Sequence, residues 1–186
     1  MHRTVRSSAV VSLISLVGCV KQEEQALIQG PCGCASPITI NEVLAAGSKE
    51  LNEFGDAADW LELYNAGSGL RMEAGEWYLT DDPTDPLKYE LPGLVLGEQE
   101  HLVIWCDGQD VVVDGIHTSF HLAAAGESLS LVRSVGGVTC LIDSVLYPPQ
   151  EAAHGLSSGR SPDGTQAWTL LAFPTPGGPN DAMAGP

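Results

Sequence analysis

Basic residues are scarce in this chain. Its 186 residues include 8 Lys and Arg against 24 Asp and Glu, a net charge of −16. A surface this acidic repels phosphate, so nucleic acid is excluded as a partner; cations or basic proteins suit it better. Long apolar runs are missing too. Ala9 to Val17 is apolar but too short to cross a bilayer as a helix, and no other segment approaches that length. Helical periodicity is hard to find from residue 38 onward, and no internal repeat is visible. Gly 21 and Pro 12 stay below the level of a low-complexity chain, and 44 % apolar residues suffice for a packed core. What is left is one domain of short strands and many turns, with tails.

The first 18 residues read as an export signal. His2, Arg3 and Arg6 make a polar, basic start, and the apolar run ends at Leu16-Val17-Gly18-Cys19. Small residues before the cut let a peptidase reach the backbone, and the Cys19 thiol can be acylated. These four residues resemble the bacterial lipobox, L-[ASTV]-[GA]-C. The resemblance implies lipidation at Cys19 and a membrane partner through that lipid. Val20 stands where Asp would retain the molecule, which implies outer-membrane delivery, on the periplasmic face or the cell surface. Cleavage leaves 168 residues with 6 basic and 24 acidic side chains, a net charge of −18. Residues 19–37 read as a tether: Lys21 to Gln25 is polar, and Gly30-Pro31 and Ser36-Pro37 punctuate it. The domain is expected over 38–180 and a short tail over 181–186.

With Cys19 assigned to lipid, Cys32, Cys34, Cys106 and Cys140 remain. Four exported cysteines suggest disulfides, with three possible connectivities. Zinc would prefer C-x-x-C pairs or nearby His, which Cys32-Gly33-Cys34 lacks. Cys106 and Cys140 both lie in apolar, strand-like runs and are expected to bridge if they face each other. Cys32 and Cys34 would then staple the tether to the domain or to another chain.

Apolar runs of about five to eight residues alternate with turn clusters, as in all-β proteins. The principal runs are Ile38 to Leu44, Trp60 to Tyr64, Trp77 to Thr80, His101 to Cys106, Ser128 to Val132, Thr139 to Leu146 and Trp168 to Phe173. Lys88 to Leu91, Val111 to Val113 and Thr118 to Leu122 are shorter candidates. Gly136-Gly137 predicts a hairpin turn. Eight to ten such strands argue a β-sandwich. On the second run Trp60, Glu62 and Tyr64 share one face and Leu61 and Leu63 the other. The leucines suit the core. Trp60 and Tyr64 then flank Glu62, a structural carboxylate expected to lie under a loop and to pair with Arg160.

The order of several motifs resembles a known family. Asn41-Glu42-Val43, Asp59-Trp60-Leu61-Glu62-Leu63-Tyr64-Asn65 and Trp77-Tyr78-Leu79-Thr80-Asp81 are similar to the opening of a bacterial lamin-tail domain. Phe120-His121-Leu122 with Gly126-Glu127-Ser128-Leu129, then Asp143 to Tyr147, resemble its later strands. Gly159 to Gly164, Trp168 and Pro174-Thr175-Pro176-Gly177 are similar to its ending. Glu76 departs from the pattern, where Gly is usual before the Trp. The resemblance spans about Ile38 to Asn180 and implies an immunoglobulin-like sandwich. It implies no activity: nuclear lamin tails bind partners, and bacterial ones accompany surface proteins or secreted hydrolases.

The chemical candidates are weak. Gly155-Leu156-Ser157-Ser158-Gly159 matches G-x-S-x-G, but a nucleophile elbow needs a helix after the Ser, and Arg160-Ser161-Pro162 cannot start one. His117 and His121, four residues apart on an extended segment, are about 13 Å apart and read as solvated side chains. Asp81, Asp82 and Asp85 crowd a Pro-containing turn and are candidate calcium ligands, although the EF-hand pattern is absent. Paired-carboxylate glycosidase chemistry would need a cleft that no pattern indicates. The reading is a lipid-anchored surface protein whose sandwich binds a protein, glycan or envelope component without catalysis. A structural role in envelope assembly and a hydrolase, or its accessory domain, are the alternatives.

Overall fold

The computed structural model describes residues 34–180 and is all-β. The export signal, Cys19, Cys32 and the tail after residue 180 lie outside the described residues. The larger sheet has seven strands in the order β13-β12-β1-β2-β7-β9-β8. These are β1 (Ile38–Leu44), β2 (Trp60–Asn65), β7 (His101–Trp105), β8 (Val111–Val112), β9 (Ile116–His117), β12 (Ser157–Arg160) and β13 (Trp168–Leu171). The second sheet runs β11-β10-β4-β5, from β4 (Trp77–Thr80), β5 (Tyr89–Glu90), β10 (Ser128–Val135) and β11 (Val138–Leu146). A ribbon of β3 (Leu70–Met72) and β6 (Leu94–Leu96) stands beside them.

The two sheets pack as a sandwich, and the period-two patterns account for it. Ile38, Ile40, Leu61, Leu63 and Ile104 from the larger sheet meet Trp77, Leu79, Leu129, Leu131 and Val145 from the smaller in one core. β2 is buried at all six positions, because the face opposite the core is also covered. Gly136 and Gly137 both have positive φ, as the tight β10–β11 turn requires. In β1 the register slips between Ile40 and Glu42, so Asn41 sits in a bulge.

Four strands lacked a sequence signal: β3, β6, β9 and β12. Ser157–Arg160 contains no apolar residue, yet β1 and β13 pair with it on either side. A Cβ on Gly159 would lie 2.7 Å from Asn180 Nδ2 and 2.9 Å from Leu171 Cδ1, so only Gly fits this crowded strand. Thr118 to Leu122 is not a strand: pairing stops at His117, and His121 makes only an isolated bridge to Asp107.

The cysteine pairing corrects the expectation. Cys34 is bonded to Cys140, with 5.8 Å between their Cα atoms, and Cys106 is a buried free thiol. Cys106 packs inside the core at 1 % exposure, whereas Cys140 lies on the edge strand of the other sheet, where the incoming chain reaches it. Burial also pushes the Cys106 thiol well above its ordinary pKa, which suppresses the reactive thiolate. The bond joins residues 106 apart, and closing so long a loop stabilises by roughly 2 to 5 kcal/mol. Non-reducing peptide mapping should recover Cys34 linked to Cys140, Cys34→Ser should lower stability by that amount, and Cys106 should be alkylated only after denaturation. A Cys106–Cys140 peptide would reverse the assignment.

Candidate functional site

The densest group of ionisable side chains lies on the covered face of the larger sheet. Glu42 and Glu62 are directly opposed across β1 and β2, and both are fully buried. Strand alternation forces them onto one face together with Trp60 and Tyr64. Residues from the C-terminal segment close over them. Thr175 N donates to Glu42 Oε1 at 3.1 Å, and the Thr175 hydroxyl lies 2.9 Å from Glu42 Oε2. The Ser157 hydroxyl donates to Glu42 Oε1. Glu62 Oε1 accepts from Asn41 Nδ2 at 3.1 Å and its Oε2 from Gly177 N at 2.7 Å. The loop expected to cover Glu62 is thus the segment around Gly177.

Asp163 and Asn180 complete the lock. Asp163 Oδ1 accepts from Asn41 Nδ2 and from Asn180 N, each at 3.0 Å. Asn180 Nδ2 donates to the carbonyls of Asn41 and Arg160 at 3.1 and 2.8 Å. His101, stacked on Tyr64 at 4.7 Å between centroids, reaches Asp163 Oδ2 at 3.3 Å. Burial raises the pKa of Glu42. Burial pushes Glu62 up to about 8; the donors Asn41 and Gly177 oppose this, and the charges of Glu42 and Asp163 add to it.

Arg160 does not pair with Glu62. It sits near the Asn41 end of the lock, and its guanidinium turns to the other sheet. Arg160 Nη2 lies 2.9 Å from both Asp143 oxygens, its Nε donates to the Ile40 carbonyl at 2.8 Å, and it stacks over Trp168. Asp143 Oδ2 also accepts from Ile40 N at 2.7 Å, so one buried ion pair ties β11 to β1 and β12. Removing one partner of such a pair costs about 3 to 5 kcal/mol.

His117 corrects a second expectation. It is fully buried, with Nδ1 2.7 Å from Asp107 Oδ2 and Nε2 2.8 Å from Glu53 Oε1. Asn52 donates to the same Asp107 oxygen, and Phe54 packs on the ring at 5.0 Å between centroids. Burial disfavours the charged imidazole, but the two carboxylates outweigh it and hold its pKa above the ordinary value. The clamp pins the Asn52–Phe54 turn to the β8–β9 hairpin. His121 is exposed.

The Asp81–Asp85 turn is organised by protein groups. Asp81 pairs with Lys88 at 2.6 Å, Asp82 Oδ1 accepts from Thr84 N and Oγ1, and the Thr80 hydroxyl lies 2.8 Å from the carbonyls of Asp82 and Asp85. Among the described residues no three acidic, His or Cys side chains converge as a metal ion needs. Ser157 is buried in β12 against Glu42, with no helix after it.

One open concavity has the character of a ligand site. A groove of about 290 Å³ beside the Cys34–Cys140 bond is lined by Pro37, Leu70, Trp77, Val138 and Ile142, with Arg71 and Arg133 at its rim. Arg133 lies over the Trp77 ring at 5.4 Å and pairs with Glu76 at 2.7 Å. No pattern in the residues pointed to it, because its walls come from the chain entry, β3, β4 and the β10–β11 hairpin. By contrast, the members of the buried lock were visible as motif residues, but not as neighbours. Comparison with known protein families, curated proteins and solved structures finds no match to this chain.

The lock makes stability depend on pH. Glu62 has a folded pKa above its unfolded value of about 4.5, so the native state holds its proton more tightly. The contribution of Glu62 to stability is full below pH 4.5 and falls as pH rises toward 8, by up to about 1.4 kcal/mol per unit. Denaturant titrations from pH 5 to 8 should show a steeper decline for the wild type than for Glu62→Gln. Parallel curves would mean that Glu62 is ionised in the fold throughout.

Proposed function

We propose that this chain is an exported, lipid-anchored envelope protein whose immunoglobulin-like, lamin-tail-like sandwich is a non-catalytic binding module. One contrast carries the reading. The buried acids and the buried Arg160 are committed to the fold's own donors and acceptors, while the groove beside Cys34 is open and lined by apolar, aromatic and arginine side chains. A concavity that sets Trp77 and aliphatic side chains beside the two arginines suits recognition. The hydrolase alternative is less well supported: Glu42 and Glu62 form the only closely opposed buried glutamate pair among the described residues, and the chain around Thr175 to Gly177 covers them.

Three motif segments that carry the lamin-tail resemblance support it further. Asn41-Glu42, Glu62, and Asp163 with Thr175, Gly177 and Asn180 come from distant parts of the chain and meet in one hydrogen-bond network. Such a network would explain why these motifs occur in a fixed order.

The binding role is tested in intact cells. A photocrosslinking residue at Val138, on the groove, should trap a discrete adduct, while one at Leu170, exposed on the edge strand β13 and outside the groove lining, should not. Equal background at both positions would overturn the groove as the binding site. Cys19→Ser should release the protein from the membrane fraction. Full retention, with no lipid mass on the wild type, would remove the anchor.

A further inference from the structure

A second surface stands apart from that groove. β8 is the outermost strand of the larger sheet, with β9 on one side and no strand on the other among the described residues. Val111, Val112 and Val113 are 37, 55 and 62 % exposed. β8 is only two residues long, which limits how many bonds an added strand can make, but Val111 to Val113 has neither Lys nor Pro to block one. Beside this edge runs a trough of about 350 Å³, walled by Leu94, Val95 and Leu102 on one side and Val112 and Val113 on the other. Val95, at its far rim, is 60 % exposed.

The charged residues that line the trough have one sign, and Arg71, across the ribbon from Val95, is paired with Glu73. Glu100 and Asp114 line it, and no Lys or Arg does. Asp110 precedes the strand, and Glu53 Oε1 accepts from Gly115 N at the hairpin turn at 2.8 Å. His117, the one titratable cation beside β8, is buried between Asp107 and Glu53 and does not reach the surface.

We propose that this edge and trough bind an extended segment of a partner protein, apolar at alternate positions and flanked by Lys or Arg. The added strand would hydrogen-bond to the backbone groups of β8 that face away from β9. Its inward side chains fill the trough, and its basic flanks meet Asp110, Asp114 and Glu100. Charge argues against a second copy of this chain as occupant. Pairing two such edges would bring like acids together on chains of net charge −16.

The test uses the full chain purified in detergent and a synthetic peptide, Lys-Lys-Val-Thr-Val-Thr-Val-Lys-Lys. Binding should be saturable, should slow amide exchange within Val111 to Val113, and should weaken as salt is raised. Asp110→Asn with Asp114→Asn should weaken it several-fold; Asn tolerates the positive φ of Asp110. Val112→Lys, on an exposed position, should weaken it at least tenfold. The same peptide with Glu for Lys, or with alternate backbone amides methylated, should not bind. The proposal is overturned if the Glu peptide binds equally, if exchange at Val111 to Val113 is unchanged, or if the edge pairs only with another copy of the chain.

Discussion

Two carboxyl groups face each other across β1 and β2 inside the protein, and much of the architecture follows from making that arrangement bearable. Directly opposed like charges in a low-dielectric interior repel strongly. The fold answers in two ways: burial keeps the proton on, and donors arrive from elsewhere in the chain. Two of those donors, Thr175 and Gly177, belong to the C-terminal segment, far from β1 in sequence. The C-terminal segment therefore has a reason to lie where it does, and the acids have a reason to be tolerated. The Arg160–Asp143 pair performs the complementary task, fixing the second sheet to β1 and β12.

The parts that could be read from the residues were those governed by alternation and turn chemistry. Leu61 and Leu63 face the core, and Gly136-Gly137 turns the hairpin, because strand period and positive φ act locally. β12 could not be read, since Ser157 to Arg160 becomes a strand only through the neighbours that pair with it. His117 was misjudged for a similar reason. Its extended setting was legible, but Glu53, which desolvates and holds it, is 64 residues away in a loop. The partner of Arg160 was missed because two buried acids competed for it, and only the orientation of β12 decides between them. Cysteine connectivity had three solutions that spacing alone could not separate.

The surface and the interior follow opposite electrostatic rules. Outside, excess acid is solvated and sets which partners can approach. Inside, each acid is neutralised, paired or hydrogen-bonded. The two concavities differ accordingly: the one beside Cys34 concentrates two arginines, and the one beside β8 has only acids at its margins. Both arginines are paired, Arg71 with Glu73 and Arg133 with Glu76, and the two concavities flank the same ribbon, where Arg71 faces Val95.

The bulge at Asn41 sets how the gene can change. It places Asn41 and Glu42, adjacent in sequence, within the same network, and it shifts the alternation of β1 by one position between Ile40 and Val43. Losing one codon here would restore regular alternation, yet it would remove an anchor of the lock or turn Ile38 and Ile40 away from the core. Substitutions on the exposed strands can be sampled singly, but the length of this short stretch cannot drift. Among descendants of this sequence, insertions and deletions should accumulate in the loops and spare residues 38–44.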